Sequence, residues 1–154
     1  MGLEDLLNPE GVIPNLKAKC KRDVLSMLAE RASGLTGVSA DKIRETLLER
    51  EQLGSTGVGR GVAIPHGKIE GLGRLFGILA RLETPVDFEA VDDQPVDLVF
   101  LLLAPENATA AHLKALAKVS RLLRDDEARA ALRGAETAEA LFAIAVDPAR
   151  PHAA

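Results

Sequence analysis

The segment Pro95-Val96-Asp97-Leu98-Val99-Phe100-Leu101-Leu102-Leu103-Ala104-Pro105 decides the fold of this chain. Between its two prolines the run is too apolar to leave either face of a strand in water, so it reads as a central strand covered by helices on both sides. The stretch before it, Leu75 to Leu82, alternates Phe76, Ile78, Ala80 and Leu82 with Leu75, Gly77, Leu79 and Arg81. Both of its faces are also largely apolar and need cover. Earlier still, Val24, Leu25, Leu28, Ala29 and Ala32 recur at helical spacing, with Gly34 expected as the cap. Ser39 is expected to cap a second helix, with Asp41 in its first turn and Ile43, Leu47 and Leu48 on its apolar face until Gly54.

After Pro105, Asn107 or Thr109 is expected to cap a helix with His112 in its first turn. Its inward stripe reads Leu113, Leu116, Ala117, Ser120 and Leu123, with Lys114, Lys118, Arg121 and Arg124 outward. A charged turn at Asp125 to Glu127 precedes a helical stretch from Ala128 to Leu132. Thr137 caps a last helix that turns Leu141, Phe142 and Ala145 inward. Helices, then strands, then helices is not the strict alternation of a doubly wound nucleotide fold. The expected class is α/β, a three-layer α/β/α sandwich around a mixed parallel and antiparallel sheet. One domain is expected over residues 3–146, with a loose tail over 147–154.

Composition narrows the function mainly by exclusion. The chain has 154 residues, 47% of them apolar, which suits one domain with a sizeable core. Four Phe with no Trp or Tyr leave no aromatic platform for stacked bases, and 23 acidic against 19 basic residues offer no footprint for a polyphosphate backbone. Cys20 is the single cysteine, which excludes an internal disulfide and a thiolate metal cluster. No apolar run reaches membrane-spanning length, and the acidic N-terminus lacks the basic leader of a signal peptide. A cytoplasmic, unprocessed protein is expected.

The chemistry concentrates around residues 50–68. Gly54, Gly57, Gly59 and Gly61 are too frequent for a helix interior and predict a bend, read as a bulged β connection. No Gly-Lys-Ser or Gly-Lys-Thr closes them as a nucleotide loop, and they do not match a dinucleotide fingerprint. Backbone N–H groups freed by the bend can hold an anion. Val62, Ala63 and Ile64 form a short strand that Pro65 terminates or places at an edge, with His66 at its exit. An imidazole presented there can be a nucleophile near neutral pH when its other nitrogen is locked by a hydrogen bond; the alternative is a plain surface histidine.

His112, in a first helical turn, feels the positive end of the helix dipole and is expected neutral. It would serve as an N–H donor to a phosphoryl oxygen if it met His66, or otherwise be an ordinary helix-start residue. Arg50 ends the second helix beside Glu51, either as a phosphoryl-reaching cation or as a common C-terminal cation. His152 lies in the tail and is given no role. Three histidines without ligand spacing predict no metal, and no Gly-x-Ser-x-Gly elbow supports a serine hydrolase.

The stretch REQLGSTGVGRGVAIPHGK, Arg50 to Lys68, resembles the active-site signature of the fructose/mannitol class of phosphotransferase-system enzyme IIA domains. Glu51, Val58, Gly59, Val62, Ala63, Ile64, Pro65 and His66 fill that signature without a gap. PVDLVFLLLAPENATAAHLKALAKVSRLL resembles the family's buried strand and the helix bearing its second histidine. The resemblance implies a phosphoryl carrier in which His66 accepts the group on Nε2 from a phosphohistidine of an HPr-like donor protein. It places His112 as the second active-site histidine and Arg50 beside the same pocket, with the bend's amides as extra donors.

No cofactor, nucleotide or built-in metal is implied, because the donor is already an activated phosphoramidate. The Gly-Ser-Thr-Gly-Val-Gly stretch and the His66-Gly67-Lys68 ending are most similar to the nitrogen-regulatory IIA proteins, whose donor is the HPr-like protein NPr. That branch, and a chain carrying no permease, HPr or second IIA domain, imply a stand-alone regulator of potassium transporters, sensor kinases or stringent-response enzymes. The alternative is a fructose- or mannitol-specific IIA component that passes phosphate to a IIB domain.

Overall fold

The computed structural model describes residues 2–147; the expected tail, from residue 148 onward, lies outside them. Two single 3-10 turns, Leu3–Asp5 and Pro9–Gly11, lead into β1 (Val12–Leu16), α1 (Lys21–Thr36) and α2 (Ala40–Gln52). A short hairpin follows, β2 (Gly57–Gly59) and β3 (Val62–Ala63), then β4 (His66–Ile69), β5 (Phe76–Val86) and β6 (Val96–Pro105). Three helices complete the described chain: α3 (Thr109–Arg124), α4 (Asp126–Gly134) and α5 (Ala138–Val146).

The strands make one six-stranded sheet in the order β1-β5-β6-β3-β2, with β4 also paired to β6. The β5–β6 and β2–β3 pairs are antiparallel; β1–β5, β3–β6 and β4–β6 are parallel. The expected three-layer sandwich with a mixed sheet is the observed one. Alternation along β6 divides the core, since Val99, Leu101 and Leu103 pack with residues of α1 and α2, and Leu98, Phe100 and Leu102 with residues of α3, α4 and α5. All six are fully buried.

Three local expectations need correction. Gly34 does not cap α1, because Gly37, with φ 81°, takes the left-handed position and donates to the Ser33 carbonyl at 2.9 Å. Neither Asn107 nor Thr109 caps α3; Ala108 is the N-cap, and the Thr109 hydroxyl accepts a hydrogen bond from Lys68 Nζ at 2.7 Å instead. The inward stripe of α3 is also turned, to His112, Ala115, Val119, Leu122 and Leu123, which leaves Leu113 63% exposed. The small Ala115 and Val119 let the helix lie close on the sheet, and the rotation carries His112 inward at the cost of desolvating it. The caps Ser39, Asp125 and Thr137 each accept a backbone N–H, as helix N-caps do.

At Gly77, in β5, the 3-10 segment and β6 meet. A Cβ there would lie 2.8 Å from both Leu6 Cδ1 and Phe100 Cε1. Gly77→Ala is therefore expected to lower stability by about 1–3 kcal/mol, read from urea unfolding. An unchanged unfolding midpoint would contradict this packing.

Candidate active site

The strand that begins at Val62 stops ahead of Pro65, as expected, but the break is short. The chain pairs in parallel with Leu98 and Val99 through β3, is interrupted at Ile64-Pro65, and resumes beside Leu102 to Pro105 as β4. Proline has no N–H to give the ladder, yet its carbonyl accepts from the Leu102 N–H at 3.0 Å, so the sheet absorbs it. His66 therefore opens a strand rather than a loop. The next residue, Gly67, has no room for a side chain, since a Cβ would lie 2.8 Å from Thr46 Cγ2 on α2.

The interruption turns the Ile64 carbonyl toward the His66 ring, 2.8 Å from Nδ1. A carbonyl can only accept, so Nδ1 carries the proton and Nε2 keeps a lone pair. The ring is half-buried, and burial is the main reason its pKa lies below the ordinary value, with the nearby Arg50 charge acting in the same direction. The Ile64 hydrogen bond and the Glu51 charge oppose that shift.

His112, on the first turn of α3, is brought to the same place. Its ring lies edge-on to that of His66, with centroids 5.7 Å apart and planes at 69°. It is 7% exposed, and its Nε2 finds no hydrogen-bond partner among the described residues. Burial, then the His66 and Lys68 charges, lower its pKa. Both sequence-expected histidines thus meet as weakly basic, neutral rings.

Arg50 lies in the last turn of α2, where its Nη1 donates to the Gly54 carbonyl at 2.9 Å. It is drawn to the helix end and is also close enough to weaken proton binding at His66. Its neighbour Glu51 proves the more deeply set, with its side chain 5% exposed and Oε1 2.9 Å from Lys21 Nζ. The carboxylate also accepts the Thr56 N–H at 3.0 Å and the Thr56 hydroxyl.

The glycine stretch is the expected bulged connection. Arg60 (φ 59°) and Gly61 (φ 78°) both take left-handed conformations at the tip of the β2–β3 hairpin, as a type I′ turn requires. Its amides are largely committed. The N–H groups of Gly54, Thr56, Gly57 and Arg60 all bond within the protein, so these four are not the extra anion donors expected of the bend. Lys21, Thr56 and Lys68 are site neighbours that sequence reasoning missed. Lys21 opens α1, thirty positions before Glu51, and no local pattern announces their pairing.

The family model described as "Phosphoenolpyruvate-dependent sugar phosphotransferase system, EIIA 2" matches residues 5–146. The chain belongs to this family. A nitrogen regulatory protein of Bradyrhizobium diazoefficiens is 52% identical over 148 residues, which cover 96% of this chain and 97% of that one. The crystal structure of nitrogen regulatory protein IIA-Ntr from Neisseria meningitidis superposes with a TM-score of 0.88 at 34% identity, covering 92% of this chain and 97% of that one. A fructose-specific EIIABC component of Bacillus subtilis is 35% identical across 94% of this chain, which spans only 23% of that longer protein. The EIIA 2 domain described here has no helix among its described residues long and apolar enough to cross a membrane.

Both depressed histidine pKa values carry a consequence for stability. The folded state binds these protons less readily than the unfolded chain, so their contribution is fully present above about pH 6.5 and is lost as pH falls toward the lower folded values. NMR titration is expected to place both imidazole midpoints below 6.5, the ordinary histidine value. The urea midpoint should fall in the same range. Midpoints at or above 6.5 would contradict the burial of the two rings.

Proposed function

We propose that this EIIA 2 protein is a phosphoryl carrier in which His66 Nε2 accepts the group from a phosphohistidine on an HPr-like donor, NPr. The observation that carries the reading is the Ile64 carbonyl on Nδ1, which leaves Nε2 unprotonated on a ring packed against that of His112, whose own Nε2 is buried and unpartnered among the described residues. The Nε2 lone pair attacks phosphorus, the P–N bond to the donor ring breaks, and the donor nitrogen keeps the electron pair. With a proton on the far nitrogen of each ring, none needs to cross between them. His112 supplies an N–H to a phosphoryl oxygen, and the Arg50 guanidinium, already adverse to an imidazolium, favours the incoming dianion.

Similarity to proteins named nitrogen regulatory protein supports a regulatory output for the phosphorylated state. A dianion on His66 changes the charge of the surface around it, so a target touching that surface binds the two forms with different affinity. Targets of this kind are potassium transporters, sensor kinases and stringent-response enzymes, met in the cytoplasm where the donor relay operates. A second reading, a sugar-specific IIA component feeding a IIB domain, draws on the likeness to the fructose-specific relative. Transfer from the phosphorylated protein to an isolated fructose IIB domain would favour that second reading, and its absence the regulatory one.

Incubation with phosphoenolpyruvate, enzyme I and NPr is expected to add one acid-labile phosphoryl group, which His66→Ala abolishes. His112→Ala should slow the transfer roughly tenfold or more while leaving the fold intact by circular dichroism. Labelling that survives His66→Ala would overturn the assignment, and an unchanged rate in His112→Ala would remove His112 from the chemistry.

A further inference from the structure

One run of hydrogen bonds connects the start of α1 to the His66 ring. Lys21 Nζ sits 2.9 Å from Glu51 Oε1 and 5.1 Å from the centre of the Phe88 ring, which fixes the cation from two sides. The buried Glu51 carboxylate accepts both the N–H and the hydroxyl of Thr56. The Thr56 carbonyl accepts the Ile64 N–H at 3.0 Å, and the Ile64 carbonyl accepts the His66 Nδ1–H at 2.8 Å. The N–H and the carbonyl that Thr56 uses belong to successive peptide groups, as do those of Ile64, so the run acts by fixing the backbone at these two residues and with it the direction of the carbonyl that meets the imidazole.

We propose that Glu51 is a positioning residue for phosphoryl transfer, acting through Thr56 and Ile64 to hold His66 in the tautomer that leaves Nε2 free. The proposal rests on the reading of His66 Nε2 as the acceptor. Glu51 does not touch the ring. It anchors the loop whose Thr56 carbonyl orients Ile64, at the one place where Pro65 interrupts the ladder and the strand cannot orient that peptide through regular pairing. Ser55 reinforces the anchor, donating its hydroxyl to the Phe88 carbonyl at 2.6 Å and accepting the Gly57 N–H at 3.0 Å.

A loop staple without influence on the ring would give a different pH response. The charged and titratable groups around the two rings are Arg50 and Glu51 of α2, His112 of α3 and Lys68 of β4. Glu51 favours the His66 imidazolium, whereas burial disfavours it. Removing the charge while keeping the packing therefore makes His66 harder to protonate. Loosening the loop and admitting water makes it easier.

The test uses the full chain with 15N-labelled histidine, compared as wild type, Glu51→Gln and Glu51→Ala. Imidazole 15N shifts of the unphosphorylated protein report the tautomer, and phosphorylation by NPr is followed against pH. Wild type is expected to show the Nδ1–H form at His66. Glu51→Gln, which keeps an oxygen for the Thr56 N–H, should retain that tautomer and move the acid limb of the rate profile to lower pH. Glu51→Ala should mix the tautomers and slow transfer about tenfold or more above that limb.

An acid limb that moves up toward 6.5 in Glu51→Gln, or a wild-type tautomer and rate in Glu51→Ala, would overturn the proposal. If Glu51→Ala does not fold, Glu51→Asp, which keeps the charge but shortens the reach to Thr56, takes its place: mixed tautomers and slower transfer are expected, and a wild-type tautomer and rate would overturn the proposal. Phosphate found elsewhere than on His66 in wild type would overturn the functional reading, whereas His66 phosphorylated normally in Glu51→Ala would overturn only the positioning role of Glu51.

Discussion

Burial of β6 on both faces and along both edges is the constraint from which the rest of the molecule follows. Its even and odd side chains enter opposite core layers, so neither pair nor trio of helices can be dispensed with. One edge is taken by antiparallel β5. The other is shared end to end by β3 and β4, and the second half of β6 leads straight into the loop before α3. His66 and His112 meet because one is registered against Leu102 and the other lies on the first turn of the helix that follows the same strand. Their distance apart in sequence has no bearing on it.

The site itself arises where that regularity fails. A continuous strand would commit the Ile64 carbonyl to a neighbour; the proline break frees it to meet the imidazole two residues later. An arrangement of this kind gives chemistry with few parts. A neutral ring with a fixed tautomer, a second buried ring beside it and a nearby guanidinium are enough for the proposed transfer, whose leaving group arrives activated. The lowered proton affinity of both histidines, caused chiefly by burial, keeps the two rings neutral near neutral pH, as the proposed attack from His66 requires.

Much of this was legible in the sequence, and what was not has physical causes. The proline-bounded run at Val96 to Ala104 announced a strand buried on both faces, and from it the layers. The signature from Glu51 to His66 announced the family. Helix rotation was less accessible, because α3 offers two overlapping apolar stripes, and only contact with Phe100 and Leu102 on the sheet selects the one with Ala115 and Val119. That the strand from Val62 stops at Pro65 followed from the missing N–H, whereas the resumption of pairing at His66 depends on Leu102 of another strand, whose N–H the Pro65 carbonyl accepts. The Lys21–Glu51 pair and the Lys68–Thr109 tie join segments distant in sequence, so spacing could not reveal them.

The account stands or falls on a single atom. Wild-type protein phosphorylated with 15N-labelled histidine allows the phosphorus–nitrogen coupling to be read directly, which identifies both the residue and the ring nitrogen that carries the group. The account predicts coupling to Nε2 of His66, with Nδ1 still protonated toward the Ile64 carbonyl. Coupling to Nδ1 of that ring, or to a nitrogen of His112, would contradict it.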